Sequence, residues 1–152
     1  MDMEQQMDEA LALAHRAEAL GEIPVGAVVL KDGVIIGRGF NRREAEHDAT
    51  AHAEMIAIRR ACETLNSWRL TGCTLVVTLE PCPMCTGAIL QSRIDRVIFG
   101  AFDAAAGCCG SLTALTEENF DHHPILYGGV KERECKKLMQ DYFARLRHNK
   151  GE

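Results

Sequence analysis

The sequence predicts an α/β domain in which helices cover both faces of a sheet. Two observations predict it. Apolar and β-branched runs alternate along the chain with stretches of helical periodicity. The 152 residues, 47% of them hydrophobic, suffice for one compact core and are few for two. No repeat, low-complexity tract or linker interrupts the pattern, so residues 1–152 are expected to form a single domain.

Met7, Ala10, Leu11, Ala14 and Ala17 recur at helical spacing, and Gly21 with Pro24 supplies a stop, which predicts an opening helix over 3–20. Val25 to Leu30 and Val34 to Phe40, separated by Lys31, Asp32 and Gly33, read as a hairpin. After a polar stretch from Asn41 to Thr50, Asp48 or Thr50 is expected to cap a second helix. Its face is Ile58, Ala61, Cys62 and Leu65, and it ends near Asn66. Thr74 to Leu79 reads as a buried strand entering Pro81-Cys82-Pro83, and Pro83 suits the first position of a third helix through about Gln91. Arg96 to Gly100 is a further strand, a weak helix is expected to start at Ser111, and Pro124 to Tyr127 is the last strand. A terminal helix from Val130 to about Arg147 carries Cys135, Leu138, Tyr142, Phe143 and Leu146.

Charge and cysteine usage narrow the function classes. A net charge of -5 argues against a bulk polyanion binder. The distribution is uneven: residues 1–130 hold ten basic and eighteen acidic side chains, residues 131–152 seven and four, leaving a locally basic end. The plain reading of that end is a solvated helix face. No window approaches the roughly 18 uninterrupted apolar residues of a spanning helix. Asp2, Glu4, Asp8 and Glu9 stand where a signal peptide would be basic. The expectation is a cytoplasmic protein with no membrane partner. Seven cysteines, an odd number, then fit metal ligands plus ordinary core thiols better than a disulfide framework.

The chemistry concentrates in His52-Ala53-Glu54 and Pro81-Cys82-Pro83-Met84-Cys85. Two cysteines three apart at a helix start can turn both sulfurs to one metal, and an imidazole from a second helix start completes three ligands. Three protein ligands leave one position open to water, whose pKa zinc lowers to about 7. The positive helix ends favour thiolates at Cys82 and Cys85. Glu54, two residues after the imidazole, is within reach of such a water as a general acid-base. The alternatives are a fourth ligand or a solvated glutamate.

These segments resemble the zinc-dependent nucleobase deaminases, and most closely the bacterial tRNA-specific adenosine deaminases, the TadA family. The resemblance also rests on Pro24-Val25-Gly26-Ala27-Val28, Asn41-Arg42, Thr50-Ala51-His52-Ala53-Glu54, Thr78-Leu79-Glu80-Pro81-Cys82, Ser92-Arg93-Ile94, Phe99-Gly100-Ala101 and Gly110-Ser111-Leu112, in family order. It implies a three-layer α/β/α cytidine-deaminase-like fold around a mixed five-stranded sheet. It further implies one Zn2+ per subunit on His52, Cys82 and Cys85, with Glu54 as proton shuttle. The implied reaction is hydrolytic deamination of the wobble adenosine in a tRNA anticodon loop to inosine, with release of ammonia.

Asn41 resembles the family's base-binding asparagine and Asp103 an RNA-contacting acid. Tyr142, Phe143 and Arg147, with Arg145, His148 and Lys150, resemble the aromatic and basic terminal helix that holds the anticodon stem-loop. A homodimer is implied as well. Phe102 and Ala105 depart from the family pattern in ways that imply phosphate contacts missing or supplied elsewhere, Asp121 puts a negative charge that is unhelpful beside RNA unless paired, and Cys108-Cys109 reads as two small buried side chains. A free-base purine deaminase, such as guanine deaminase, shares the His-Ala-Glu and Pro-Cys-Pro-Met-Cys segments and is the alternative.

Overall fold

Met3–Ala19 (α1) opens the chain, held at its start by a reciprocal cap in which Asp2 Oδ1 accepts from Gln5 N at 2.8 Å and Gln5 Oε1 from Asp2 N at 2.9 Å. The structure is a computed structural model that describes residues 1–151, with the side chains at 150 and 151, that of Lys150 included, outside that description. Strands Gly26–Lys31 (β1) and Val34–Phe40 (β2) follow, joined through Asp32 and Gly33, both at positive φ as a tight two-residue hairpin turn requires. Next come the short helix Arg43–Glu46 (α2), helix Ala53–Leu65 (α3), strand Cys73–Leu79 (β3), helix Pro83–Ser92 (α4) and strand Arg96–Ala101 (β4). Strand Ile125–Gly128 (β5) and helix Glu132–Gly151 (α5) complete the order.

The five strands form one mixed sheet in the order β2-β1-β3-β4-β5, with β1 antiparallel to both neighbours and β3, β4 and β5 parallel. Strand alternation splits the core into two layers. Val28, Leu30, Val76 and Ile98 pack with Met7, Ala10 and Ala14 of α1 and Cys135 and Leu138 of α5. Ala27, Val29, Leu75, Val77, Val97 and Phe99 pack on the opposite face with Ala53, Ala57, Ile58 and Ala61 of α3 and Ile89 of α4. This is the three-layer α/β/α architecture expected from the sequence. Among the described residues no helix is long and apolar enough to cross a membrane.

Two glycines set the height of α3 above the sheet. A Cβ on Gly39 would lie 2.3 Å from the Ala53 carbonyl oxygen, and one on Gly37 2.3 Å from that of Ala57. The helix therefore lies directly on β2, which fixes its first turn and the residue before it, His52.

Two expected helix starts differ. Neither Asp48 nor Thr50 caps α3; its cap residue is His52. Asp48 is engaged locally, accepting from Thr50 N at 2.8 Å and Thr50 Oγ1 at 2.7 Å. No helix starts at Ser111, whose N–H and hydroxyl both donate to buried Glu80; only a 3-10 turn, Leu115–Glu117, follows. The short helix α2, inside the polar stretch, carries no apolar periodicity and was not expected.

Candidate functional site

His52 and Cys82 occupy the cap positions of α3 and α4 with extended backbones, and neither makes the usual side-chain cap bond to its own helix. Their side chains point instead at each other. His52 Nδ1 lies 3.6 Å from Cys82 Sγ and 3.5 Å from Cys85 Sγ. Zinc bonds of about 2.3 Å to sulfur and 2.0–2.1 Å to nitrogen at tetrahedral angles need an N···S edge of about 3.6 Å, so these donors fit a zinc ion without rearrangement. Among the described residues they form the one group of three or more such side chains able to hold a metal ion. Pro83, at the first position of α4, has no N–H to leave unpaired there.

The electrostatics of this group follow from burial and from its internal hydrogen bonds. Cys82 is held down to about 4, first by the hydrogen bond from Cys85 and then by His52. Cys85 is driven far upward by its bond to Cys82 and by burial. Without metal the thiolate of the pair therefore sits at Cys82. His52 is raised by its hydrogen bond to Cys82. Glu54 is 4% exposed, and burial pushes its carboxyl up to about 7, with the Cys82 charge acting in the same direction. A buried carboxyl that exchanges its proton near neutral pH is suited to move protons in both directions.

A cavity of about 150 Å³ opens on this group, lined by His52, Glu54, Cys82, Asn41, Arg43 and Asp103 among others. It lies at the carboxyl ends of β3 and β4, where the chain passes into Pro81-Cys82 and into Phe102-Asp103. Two larger hollows adjoin it. One, of about 380 Å³, shares Ile23, Asn41 and Arg43 with the cavity and adds Tyr142 and Phe143. The other, of about 700 Å³, shares Leu79, Asp103 and Ala106 and adds Phe102, Phe143 and Arg147.

Apart from Cys85, which is fully buried behind Cys82, the site residues expected from the sequence line these three adjoining hollows. Tyr142 and Phe143 meet edge to face with centroids 5.2 Å apart, Tyr142 half-buried and Phe143 38% exposed. Each side chain is thus part packing and part surface.

Asn41 and Asp103 also stabilise their own loops. Asn41 Oδ1 accepts from Arg43 N and its Nδ2 donates to the Ile23 carbonyl, both at 3.4 Å. Asp103 Oδ1 accepts from Ala105 N at 3.1 Å and Ala106 N at 3.2 Å. Arg145 turns away from this surface and pairs with Glu18 of α1. Asp121 lies outside the three hollows, and its neighbours are pinned elsewhere, His122 Nε2 to the Ile94 carbonyl and His123 Nδ1 to that of Thr116. Cys108 and Cys109 are buried, as expected.

Two buried carboxylates were missed. Glu22 accepts from Glu44 N at 3.1 Å and Ala45 N at 2.7 Å, holding the 43–46 turn beside Asn41. Glu80, 2% exposed, accepts from Asp103 N, Cys109 N and Ser111 N, each at 3.0 Å, and from the Ser111 hydroxyl. It holds the loop that carries Asp103, and a Cβ on Gly107 would lie 2.4 Å from its carboxyl carbon. Position gave no signal: each acid stands in a connection, between a helix stop and a strand for Glu22 and between a buried strand and Pro81 for Glu80, where an exposed side chain is the ordinary expectation.

Residues 1–101 match the family model described as the cytidine and deoxycytidylate deaminase zinc-binding region. The chain belongs to this deaminase family. Over 145 residues the deaminase is 50% identical to the tRNA-specific adenosine deaminase of Bacillus subtilis, covering 95% of this chain and 90% of that protein. A solved structure from a study of A-to-I editing by tRNA:A34 deaminases at the wobble position of transfer RNA superposes with a TM-score of 0.84 at 41% identity. It covers 88% of this chain and 98% of that one. The guanine deaminase of Bacillus subtilis superposes with a TM-score of 0.66 at 42% identity, covering 73% of this deaminase and 71% of that chain.

Proposed function

We infer that this deaminase is a tRNA-specific adenosine deaminase that hydrolyses the wobble adenosine of an anticodon loop to inosine and ammonia. The observation that carries the reading is the continuity of the small cavity at His52, Glu54 and Cys82 with the aromatic and basic surface of Phe143 and Arg147. A free base needs only the cavity, whereas a nucleotide within an RNA loop needs the surface around it as well. The full-length likeness to a tRNA-specific adenosine deaminase favours the same reading over guanine deaminase, whose likeness is shorter and superposes less closely.

In this reading His52 Nδ1, Cys82 and Cys85 hold the zinc, which when bound supplies a water acidic enough to attack at neutral pH. Hydrolysis replaces the C6 amine of adenine by oxygen from water, breaking the C6–N bond. Glu54 moves the protons: it takes one from water and delivers it to N1, then takes the second from the new C6 hydroxyl and gives it to the departing amine. Asn41 pairs with the base edge. Tyr142 and Phe143 offer faces on which unstacked neighbouring bases rest, Arg147 meets a phosphate, and Asp103 contacts the RNA beside them. Residues 1–152 act as one domain, as a homodimer and in the cytoplasm.

Incubating the zinc-loaded protein with an anticodon stem-loop containing wobble adenosine, beside free guanine, tests the substrate. Inosine in the stem-loop with no xanthine from guanine is expected. Xanthine formation with an unchanged stem-loop would replace this reading by the free-base one. Light scattering of the purified protein tests the dimer, for which a mass twice that of one chain is expected.

A further inference from the structure

On the other side of the Asn41–Arg43 segment lies a groove of about 560 Å³ between α1, the outer edge of β2, and α3. It is lined by Arg16, Arg38, Arg42, Arg59 and Arg60, against only Glu46 and Glu63. The groove concentrates half of the ten basic side chains of residues 1–130, a stretch that also carries eighteen acidic ones. A charge distribution that merely kept this surface solvated would spread these arginines among the acids.

Two of the five guanidinium groups are held in place by an aromatic ring. Arg16 and Arg42 lie over Phe40, 5.0 and 5.4 Å from the ring centroid. Stacking lowers the ordering cost of a guanidinium while leaving its N–H fork free in the ring plane. Arg42 and Arg60 have acidic neighbours at 3.6 and 3.4 Å, Glu46 and Glu63, in exposed pairs of little strength.

The groove is also connected to the chemistry. Asn41 and Arg43 line the cavity at the metal-binding group, and Arg42, between them, lines the groove. A chain whose base enters the cavity can therefore pass its backbone over residues 40–43 into the groove.

We propose that this arginine groove binds the phosphodiester backbone of the RNA substrate, at nucleotides beyond the one that enters the cavity. The proposal rests on the tRNA reading and deepens it. It gives the enzyme a second RNA-binding surface, on the β2 side, lined by residues other than those of the surface that ends at α5. The contacts are to phosphate, so they set affinity and orientation and carry no sequence preference.

The test uses the whole zinc-loaded chain and a fluorescent anticodon stem-loop, with the combined variant Arg16→Gln, Arg38→Gln and Arg59→Gln. Each phosphate contact contributes about 0.7–0.9 to the slope of log K against log salt, so removing three lowers the slope by about 2. KM for the stem-loop is expected to rise at least about fivefold, while kcat and zinc content hold. Replacing the same three residues by Lys restores most of the slope.

A second measurement needs no variant: bound stem-loop should protect Arg16, Arg38 and Arg59 of the wild-type protein from phenylglyoxal, read by mass spectrometry. An unchanged slope and KM, or full reactivity of these three arginines in the complex, overturns the proposal. A groove that takes an acidic protein segment gives that same negative result. If the wild-type chain neither binds nor deaminates the stem-loop, the tRNA reading itself fails. If it does both and the variant matches it, only the groove assignment fails.

Discussion

Replacing Glu80 by Gln tests whether the loop carrying Asp103 is held by a carboxylate. Oε2 accepts from Cys109 N and Ser111 N, while Oε1 accepts from Asp103 N and the Ser111 hydroxyl. An amide can keep an oxygen on only one side. Placing it toward Cys109 and Ser111 preserves two bonds, and the Ser111 hydroxyl can rotate to accept from the new NH2 group. The Asp103 N–H then faces a second donor and loses its partner. One unsatisfied buried donor costs about 1–3 kcal/mol, and the retained bonds lose their charge assistance. Relief of the buried charge offsets part of this, leaving about 2–4 kcal/mol. At about 2–4 °C per kcal/mol for a chain of this size, the melting temperature should fall by about 4–16 °C. Because the loop lines the cavity and supplies none of the three metal donors, zinc content should hold while KM for the stem-loop rises. Calorimetry, zinc analysis and steady-state kinetics read the three quantities. A variant that melts within about 2 °C of wild type with unchanged KM would refute the role given to Glu80.

Further outcomes follow from the same geometry. Cys82→Ala removes one of three donors, and zinc content measured by mass spectrometry should fall from one per chain to near zero, with chelator treatment of the wild type lowering the melting temperature as well. In the metal-free protein the Glu54 carboxyl stands at about 7 against 4.5 for the free side chain, so it favours folding fully below about pH 4.5 and loses that contribution as pH rises through 7. Metal-free Glu54→Gln should therefore gain on metal-free wild type by about 3 kcal/mol between pH 4.5 and pH 8 in denaturant titrations; a constant difference would contradict the buried position of Glu54. Gly39→Ala drives a methyl against the Ala53 carbonyl and should destabilise by about 1–3 kcal/mol while lowering zinc affinity, since His52 precedes that turn.

Unbroken apolar runs made both core layers legible, because Ala27, Val29, Leu75 and Val77 face one layer and Val28, Leu30 and Val76 the other along strands buried on both faces. The metal-binding group was legible for a related reason: Cys82 and Cys85 at a helix start are a local geometry, and His52 supplies the missing donor type. What escaped the sequence is held together by contacts remote along the chain. Helix α2 has no apolar face, and it is anchored by Glu22, some twenty residues earlier. Glu80 bonds chiefly to backbone N–H groups, which any residue provides, so neither its partners nor the loop it organises leaves a pattern in side chains. Asp48 and Ser111 were misread as helix starts because each hydrogen-bonds outside a helix, Asp48 to Thr50 and Ser111 to Glu80.

The most direct measurement is single-turnover inosine formation in an anticodon stem-loop with wobble adenosine, comparing wild type with Glu54→Gln at equal zinc content. Complete conversion by the wild type, with loss of at least about a hundredfold in rate but retained stem-loop binding in the variant, is the predicted result. Equal rates in the two proteins, or no inosine from the zinc-loaded wild type, would contradict it.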